Sequence, residues 1–182
     1  MISKDLYIIY RKDKTPNNKG LCYRGVLIAV SNKYLSSEVK ELQTDCEIVW
    51  AGHTISNGRK CYICAYYRPH PDDDISLEPL NKSLSRINTN SKSVILVGGD
   101  FNLGHINWET DSVIPAKPNL KQHQQLLDII HDHGLKQIVK EPTRNDRILD
   151  MVITNYPAII HQIETIPPLG EADHDIECLE CV

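Results

Sequence analysis

The sequence has no apolar run long enough to cross a membrane, and few of its residues are aromatic. Its apolar stretches fall well short of the roughly 20 residues of a membrane helix, and aromatic residues make up 6% of the 182. It also lacks a surplus of positive charge, because 20 Lys and Arg stand against 24 Asp and Glu, a formal net charge of −4. Proteins that hold nucleic acid through their overall field are basic. Any nucleic-acid partner must therefore be bound locally, at one site.

The first ten residues lack the apolar core of a signal peptide, because Lys4 and Asp5 interrupt them. This predicts an intracellular protein, nuclear or cytoplasmic, with reduced cysteines. The Cys-x-x-Cys spacing of Cys61 and Cys64 is typical of zinc sites. However, both lie in an apolar strand-like run, where residues three apart point to opposite faces. Buried structural thiols are therefore favoured over zinc.

The hydrophobic pattern predicts one domain, residues 1–182, that is rich in strands and carries two helices. The predicted strands are 25–30, 46–55, 60–67, 93–98, 148–154, 159–166 and 174–179. Apolar residues at helical spacing predict helices over 77–87, capped by Asp74 or Ser76, and over 119–133, which Gly134 ends. Ser-Asn-Gly at 56–58 predicts a hairpin. The order favours an α/β fold of sheets covered by helices, with strand ends and loops building a site.

A carboxylate and a carboxamide follow the most apolar predicted strand. Val-Ile-Leu-Val at 94–97 runs through two glycines to Asp100, with Asn102 two positions later. On an extended backbone these two side chains would share a face. The carboxylate can orient or deprotonate a water, and the amide can donate to a phosphoryl oxygen. A plain Asx-type turn at the end of the strand is the alternative.

Two further positions have the chemistry of a phosphate-ester site. Asp150 lies among apolar residues, where a carboxylate is costly without a partner such as His174. Next to His174, Asp173 offers a hard metal ligand. The alternatives are an edge-strand aspartate that faces solvent and a surface dipeptide.

A tyrosine and an arginine leave the 60–67 strand towards a loop. Tyr67 and Arg68 offer a phenol and a guanidinium to a phosphate group. Aromatic core packing is the alternative, and the pattern favours it for Tyr66 over Tyr67.

Together, these motifs resemble the endonuclease/exonuclease/phosphatase superfamily. The motifs are Tyr-x-Pro at 67–69, Gly-Asp-Phe-Asn at 99–102, Leu-Asp-x-Val-x-Thr-Asn at 149–155 and Asp-His at 173–174. Arg-Gly-Val-Leu-Ile at 24–28, Asn-Trp at 107–108 and Glu-Pro-Thr-Arg at 141–144 are similar to the endonuclease domains of non-long-terminal-repeat retrotransposons. The resemblance implies a DNase I-like two-layer β-sandwich flanked by helices.

The resemblance also implies roles for single residues. Asp100 would position or activate the attacking water, and Asn102 would hold the phosphate. His174, aligned by Asp150, would act on the scissile phosphate, and Tyr67 would donate a hydrogen bond to it. Substrate contacts would come from Arg68, Thr143 and Arg144, and Asp173 would bind Mg²⁺ or Mn²⁺. If so, Asp100, Asp150 and His174 converge within a few ångströms.

The implied activity is a DNA-nicking endonuclease that leaves a 3′-hydroxyl and a 5′-phosphate, within a larger polyprotein that includes a reverse transcriptase. The family's N-terminal strands, which carry an asparagine and a metal-binding glutamate, have no counterpart in this sequence. We therefore expect impaired metal binding and exposed sheet edges. His70 and Ala172 also replace the family's asparagine and serine. The alternatives are an inactive retroelement remnant and a phosphatase acting on small phosphodiesters.

Overall fold

The computed structural model describes residues 5–13, 25–55, 58–88, 92–167 and 174–181. Twelve strands are found in these residues: β1 Tyr7–Asp13, β2 Gly25–Ser31, β3 Ser36–Glu38, β4 Glu47–Thr54, β5 Lys60–Tyr67, β6 Val94–Asp100, β7 Ile106–Asn107, β8 Ser112–Val113, β9 Lys136–Gln137, β10 Asp150–Thr154, β11 Ile160–Ile166 and β12 Ile176–Cys181. The helices are α1 Leu77–Ser85 and α2 Leu120–Asp132, with short 3₁₀ turns at Lys40–Leu42 and Pro157–Ile159.

A six-stranded sheet in the order β3-β4-β5-β6-β10-β9 forms the centre of the molecule. Strands β5 and β6 run parallel, and β10 pairs antiparallel with β6. The apolar runs of β4, β5 and β6 form the middle of this sheet, as expected for strands covered on both sides. The predicted hairpin is confirmed by the antiparallel pairing of β4 with β5. Ser56 and Asn57 of its turn lie outside the described residues.

The two helices cover one face of the central sheet and contribute to its core. Helix α1 buries Leu80 and Leu84, and α2 buries Leu126 and Ile130. Each fully buried leucine side chain is worth about 1.5–3 kcal/mol relative to an exposed one. Both helices were predicted within two residues of their observed ends.

The N-terminal cap of α1 differs in one detail from the prediction. The helix begins after Ser76, but Ser76 makes no side-chain capping bond. The carboxylate of Asp73, rather than Asp74, accepts hydrogen bonds from the backbone N–H groups of Ile75 and Ser76. Asp73 therefore orders the backbone just ahead of the helix.

Two-stranded sheets flank the centre. The β1–β2 pair contacts β4 and β5, and the β11–β12 pair follows β10 in the chain. Strand β1 was not predicted, because Arg11, Lys12 and Asp13 at its end hide its alternation. Cys61 and Cys64 are buried and form no disulfide within the described residues, and their burial was predicted. Among the described residues, no helix has the length and apolar character that a bilayer crossing requires.

Candidate active site

Three predicted site residues stand side by side at one end of the central sheet. Tyr67 is the Cα partner of Asp100 in the parallel β5–β6 pair. Asp100 is in turn the partner of Asp150 in the antiparallel β6–β10 pair. Because opposed residues on neighbouring strands lie about 4.5–5.5 Å apart, this register brings the ends of three strands to one place.

Asp100 and Asn102 form a closed hydrogen-bonded turn. The Asn102 N–H donates to Asp100 Oδ1 over 2.9 Å, and Asn102 Nδ2 donates to Asp100 Oδ2 over 2.9 Å. Asn102 Nδ2 also donates to the Arg68 carbonyl over 2.7 Å. The two side chains meet, but not through an extended backbone, because β6 ends at Asp100 and Asn102 has a φ of 51°. The Asx-type turn, first considered as an alternative to a site, is what joins them.

Gly99 makes the approach to this turn possible. Its φ is +148°, and an added Cβ would lie 1.8 Å from the carbonyl oxygen of Tyr66. No side chain can occupy that space, so β6 can pack closely against β5 only with glycine here. The double glycine before Asp100 was the sequence signal for this constraint.

Asp150 and His174 make the contact that the sequence predicted. His174 Nδ1 lies 2.6 Å from Asp150 Oδ2, and both side chains are about one quarter exposed, at 22% and 24%. With Nδ1–H donating to the carboxylate, Nε2 of His174 remains available to a substrate. Ligand atoms of Asp100, Asp150 and His174 all lie within 4.8 Å of one another, so the predicted convergence is confirmed.

The pKa of Asp100 is raised at this site. Burial and, second, the neighbouring charge of Asp150 raise the pKa of Asp100 to about 6, against the hydrogen bonds from Asn102 and the charge of His174. Two ionised carboxylates this close repel each other, and a proton or a cation between them relieves the repulsion. The chemistry of the cluster therefore fits a bound cation, although Asp173, the predicted metal ligand, lies outside the described residues.

Arg68 is fully buried, at 0% exposure. Its guanidinium donates to the Pro71 carbonyl over 2.9 Å and also to the Asp73 carbonyl. Weaker contacts of 3.4 and 3.5 Å reach the carbonyls of Phe101 and Asn102. Arg68 thus joins the loop before α1 to the Asp100–Asn102 turn. Direct substrate binding by Arg68 stays a prediction.

Thr143 is also fully buried and lies behind Asp150. Its Oγ1 accepts hydrogen bonds of 3.0 Å from the N–H groups of both Leu149 and Asp150. Its carbonyl accepts the Asp175 N–H over 2.9 Å, one residue beyond His174. These contacts place both members of the Asp150–His174 pair. A substrate contact by Thr143 stays a prediction. Its hydrogen bonds to the backbone around Asp150 and His174 could not be predicted from the sequence.

The remaining predicted residues differ in their surroundings. Tyr67 is half-buried, while Tyr66 is buried and packs on the ring of Phe101, with 4.9 Å between the centroids. This confirms the expectation that core packing applies to Tyr66 more than to Tyr67. Arg144 is half-buried and lines a pocket that also reaches Asn102.

Comparison with known proteins identifies the family of the chain. A family model described as endonuclease-reverse transcriptase matches residues 61–177. No curated protein sequence gives a significant match.

Solved structures share the fold over almost the whole chain. An endonuclease/exonuclease/phosphatase family protein from Leptotrichia buccalis matches with a TM-score of 0.63 and 15% identity, over 99% of this chain and 73% of the other. The 3′ phosphatase NExo from Neisseria, bound to product DNA hairpin, has a TM-score of 0.60 and 12% identity, over 97% and 79%. The human Nocturnin catalytic domain has a TM-score of 0.53 and 13% identity, over 97% and 74%. These likenesses confirm the predicted DNase I-like α/β fold.

Proposed function

This chain belongs to the endonuclease-reverse transcriptase family, and from that premise we propose that it is a metal-dependent phosphodiesterase that nicks DNA. The products are a 3′-hydroxyl and a 5′-phosphate, and the natural setting is a polyprotein that includes a reverse transcriptase. The membership makes the chain a hydrolase of the endonuclease/exonuclease/phosphatase superfamily. The observation that carries the proposal is the Asp150–His174 hydrogen bond beside the Asp100–Asn102 turn.

The contacts of these four residues suit hydrolysis of a phosphate ester. Asp100 accepts a proton from, or orients, the attacking water, and hydrogen bonds from Asn102 hold both of its carboxylate oxygens. Asn102 already uses its amide nitrogen on Asp100 and Arg68, so it holds the turn, and its side-chain oxygen can accept a hydrogen bond from a water. His174, oriented through Nδ1 by Asp150, directs Nε2 at the phosphate.

Mg²⁺ or Mn²⁺ would be held by Asp100 and Asp150, together with Asp173, and would supply Lewis-acid stabilisation of charge on the phosphate oxygens. Within the described residues the donor set contains two carboxylates and one imidazole. Mg²⁺ favours oxygen ligands and usually keeps several waters. We therefore expect weak metal affinity, with activity rising through the millimolar range of Mg²⁺.

Nicking of supercoiled plasmid tests the proposal. The parent is compared with Asp100→Ala, His174→Ala and Asp150→Asn in Mg²⁺ and in EDTA. Removing one catalytic acid or base typically costs about 10²–10⁴ in rate, so all three variants are expected to lose nicking. Asp128→Asn, an exposed carboxylate on α2, is the matched control and keeps full activity. Extension of the nick by a DNA polymerase reports the 3′-hydroxyl.

A folded parent that fails to nick at any metal concentration contradicts the proposal. Two further substrates separate the alternatives. Release of phosphate from a DNA 3′-phosphate without nicking would indicate a DNA 3′-phosphatase. Cleavage of a small aryl phosphodiester alone would indicate an enzyme that acts on small phosphodiesters.

A further inference from the structure

A pocket of about 420 Å³ opens beside the Asp100–Asn102 turn. Asn102, which also belongs to the candidate active site, lines it together with Arg144, Arg147 and His105. We propose that this pocket binds a second backbone phosphate of the DNA strand, next to the phosphate that is cleaved. This inference rests on the proposed function and extends it to how the substrate is held.

A rigid turn presents the two arginines. The Arg144 N–H donates to the Arg147 carbonyl and the Arg147 N–H to the Arg144 carbonyl, each over 3.1 Å. Asn145, within the turn, has a φ of 55°, in the left-handed region that asparagine tolerates. The stem of Arg147 crosses Gly104, where an added Cβ would lie 2.8 Å from Arg147 Cδ. The backbone that carries both arginines and the stem of Arg147 are therefore in place before any ligand arrives.

Thr143 ties this turn to the candidate catalytic residues. Its N–H donates to the Arg147 carbonyl over 2.9 Å, while its hydroxyl accepts the N–H of Asp150. The same residue thus fixes the arginine turn and Asp150. A DNA strand with one phosphate at Asp150 and His174 would meet the arginines at a set separation, which is what positioning of a scissile bond requires.

The charges at the pocket favour an anion. Asp72 lines one wall but accepts a hydrogen bond from Asn119 Nδ2 over 3.0 Å. Asp146 lies 3.6 Å from Arg147 Nε and is itself 90% exposed, so water screens it. Burial is the main cause of the lowered pKa of His105; the charges of Arg147 and Lys117 lower it further, and Asp146 opposes them. Two arginines thus outweigh the one carboxylate that lines the pocket.

A phosphate diester is the ligand that this group of side chains fits best. Guanidinium groups donate two parallel hydrogen bonds to phosphate oxygens. The chain as a whole carries a formal charge of −4, so its overall field would repel DNA. A local cationic pocket that shares Asn102 with the active site supplies the attraction that the overall charge does not.

The test measures binding of a duplex by fluorescence anisotropy in EDTA, where no strand is cut, across a series of salt concentrations. The proteins are the parent, Arg144→Gln, Arg147→Gln, the double variant and Arg147→Lys. Each phosphate contact contributes about 0.9 to the slope of log K against log salt. We expect the double variant to bind about tenfold more weakly and its slope to fall by about 1. Arg147→Lys keeps the charge and should keep the slope.

Lys136→Gln is the control, because Lys136 is exposed and pairs with Thr154, at the opposite end of β10 from Asp150. It should leave affinity and slope unchanged. An unchanged slope and affinity in the double variant, with the parent still binding, overturns the pocket assignment and leaves the nicking proposal intact. So does an equal loss in Lys136→Gln, which would indicate a general charge effect. A folded parent that binds no DNA in this assay overturns the pocket assignment, and the nicking assay in Mg²⁺ then decides the proposed function separately.

Discussion

Asp100 and Asp150 are Cα partners on adjacent antiparallel strands, so that two carboxylates lie next to each other at the end of the central sheet. Repulsion between them disfavours this arrangement when both are ionised. The backbone ladder of β6 and β10 nevertheless fixes it, and His174 offsets part of the charge from the Asp150 side. The site is thus prepared for a cation at some expense of stability, a common compromise at functional sites.

The first prediction concerns the pH dependence of stability in EDTA. The pKa of Asp100 is raised from 3.8 to about 6 by burial and by Asp150, so the folded protein retains a proton that the unfolded chain releases. This contribution to stability is fully present below pH 3.8 and is lost as the pH rises through 6. Asp100→Asn removes the charge. It also removes one of the two acceptors for Asn102, but that loss is the same at every pH. We therefore expect the stability of the variant relative to the parent to be about 1 kcal/mol higher at pH 7.5 than at pH 4, a figure reduced for the partial exposure of Asp100.

Urea denaturation at pH 7.5 and at pH 4 checks this. At pH 4 the folded parent's Asp100 is largely protonated, so its charge no longer lowers the stability of the parent relative to the variant. A stability gain of the same size at both pH values would contradict the charge explanation. Asp128→Asn, on the exposed face of α2, should show no such pH-dependent difference.

The second prediction separates structural from substrate roles for Arg68. Arg68→Met keeps the stem but leaves the carbonyls of Pro71 and Asp73 without their donor. Because this guanidinium is buried and charged, we expect a loss of about 2–4 kcal/mol in the free energy of unfolding. Arg86→Met is the matched control, since Arg86 also donates to two carbonyls, those of Glu41 and Gln43, but is exposed. It should cost less than about 1 kcal/mol. Similar losses in both variants would argue against a buried structural role.

The third prediction tests Thr143 as a positioning residue. Thr143→Val preserves shape but removes the oxygen that accepts the N–H groups of Leu149 and Asp150. With one buried donor and one part-buried donor unpaired, we expect a loss of about 2–3 kcal/mol in stability. We also expect a fall in the kcat of nicking with little change in KM, because Asp150 and His174 shift relative to the phosphate. Thr110→Val, at an exposed hydroxyl, is the control. A rise in KM alone would instead favour direct substrate contact.

The fourth prediction compares two adjacent tyrosines. Tyr67→Phe removes the phenol hydroxyl of the residue that is the Cα partner of Asp100 on β5. We expect nicking to slow by about 100-fold, because the loss of one hydrogen-bond donor to the transition state has an effect of this size. Tyr66→Phe removes a buried hydroxyl that has no hydrogen-bond partner among the described residues. It should leave activity unchanged and stability equal or slightly higher. Equal activity in both variants would remove Tyr67 from the site.

The sequence by itself determined much of this protein. Apolar runs such as 94–97 and the helical spacing of 77–87 predicted strands and helices, because the spacing of apolar residues along the chain indicates which face of an element is buried. The motifs around Asp100 and Asp150 predicted the site and the family, and a carboxylate amid apolar residues required a partner, which proved to be His174. Strand β1 escaped prediction because charges at one end masked its pattern.

Only the tertiary structure decided where the polar side chains of the loops point. The substrate contacts of Arg68 and Thr143 stay predictions, and the structure adds that both are buried and hold backbone groups that come from distant parts of the chain. Local pattern carries no information on this, because the partners are set by strand register and by the path of the loops. Hydrophobic periodicity is a property of neighbours in sequence, whereas a buried guanidinium or hydroxyl must find its partners wherever the folded backbone leaves groups unpaired.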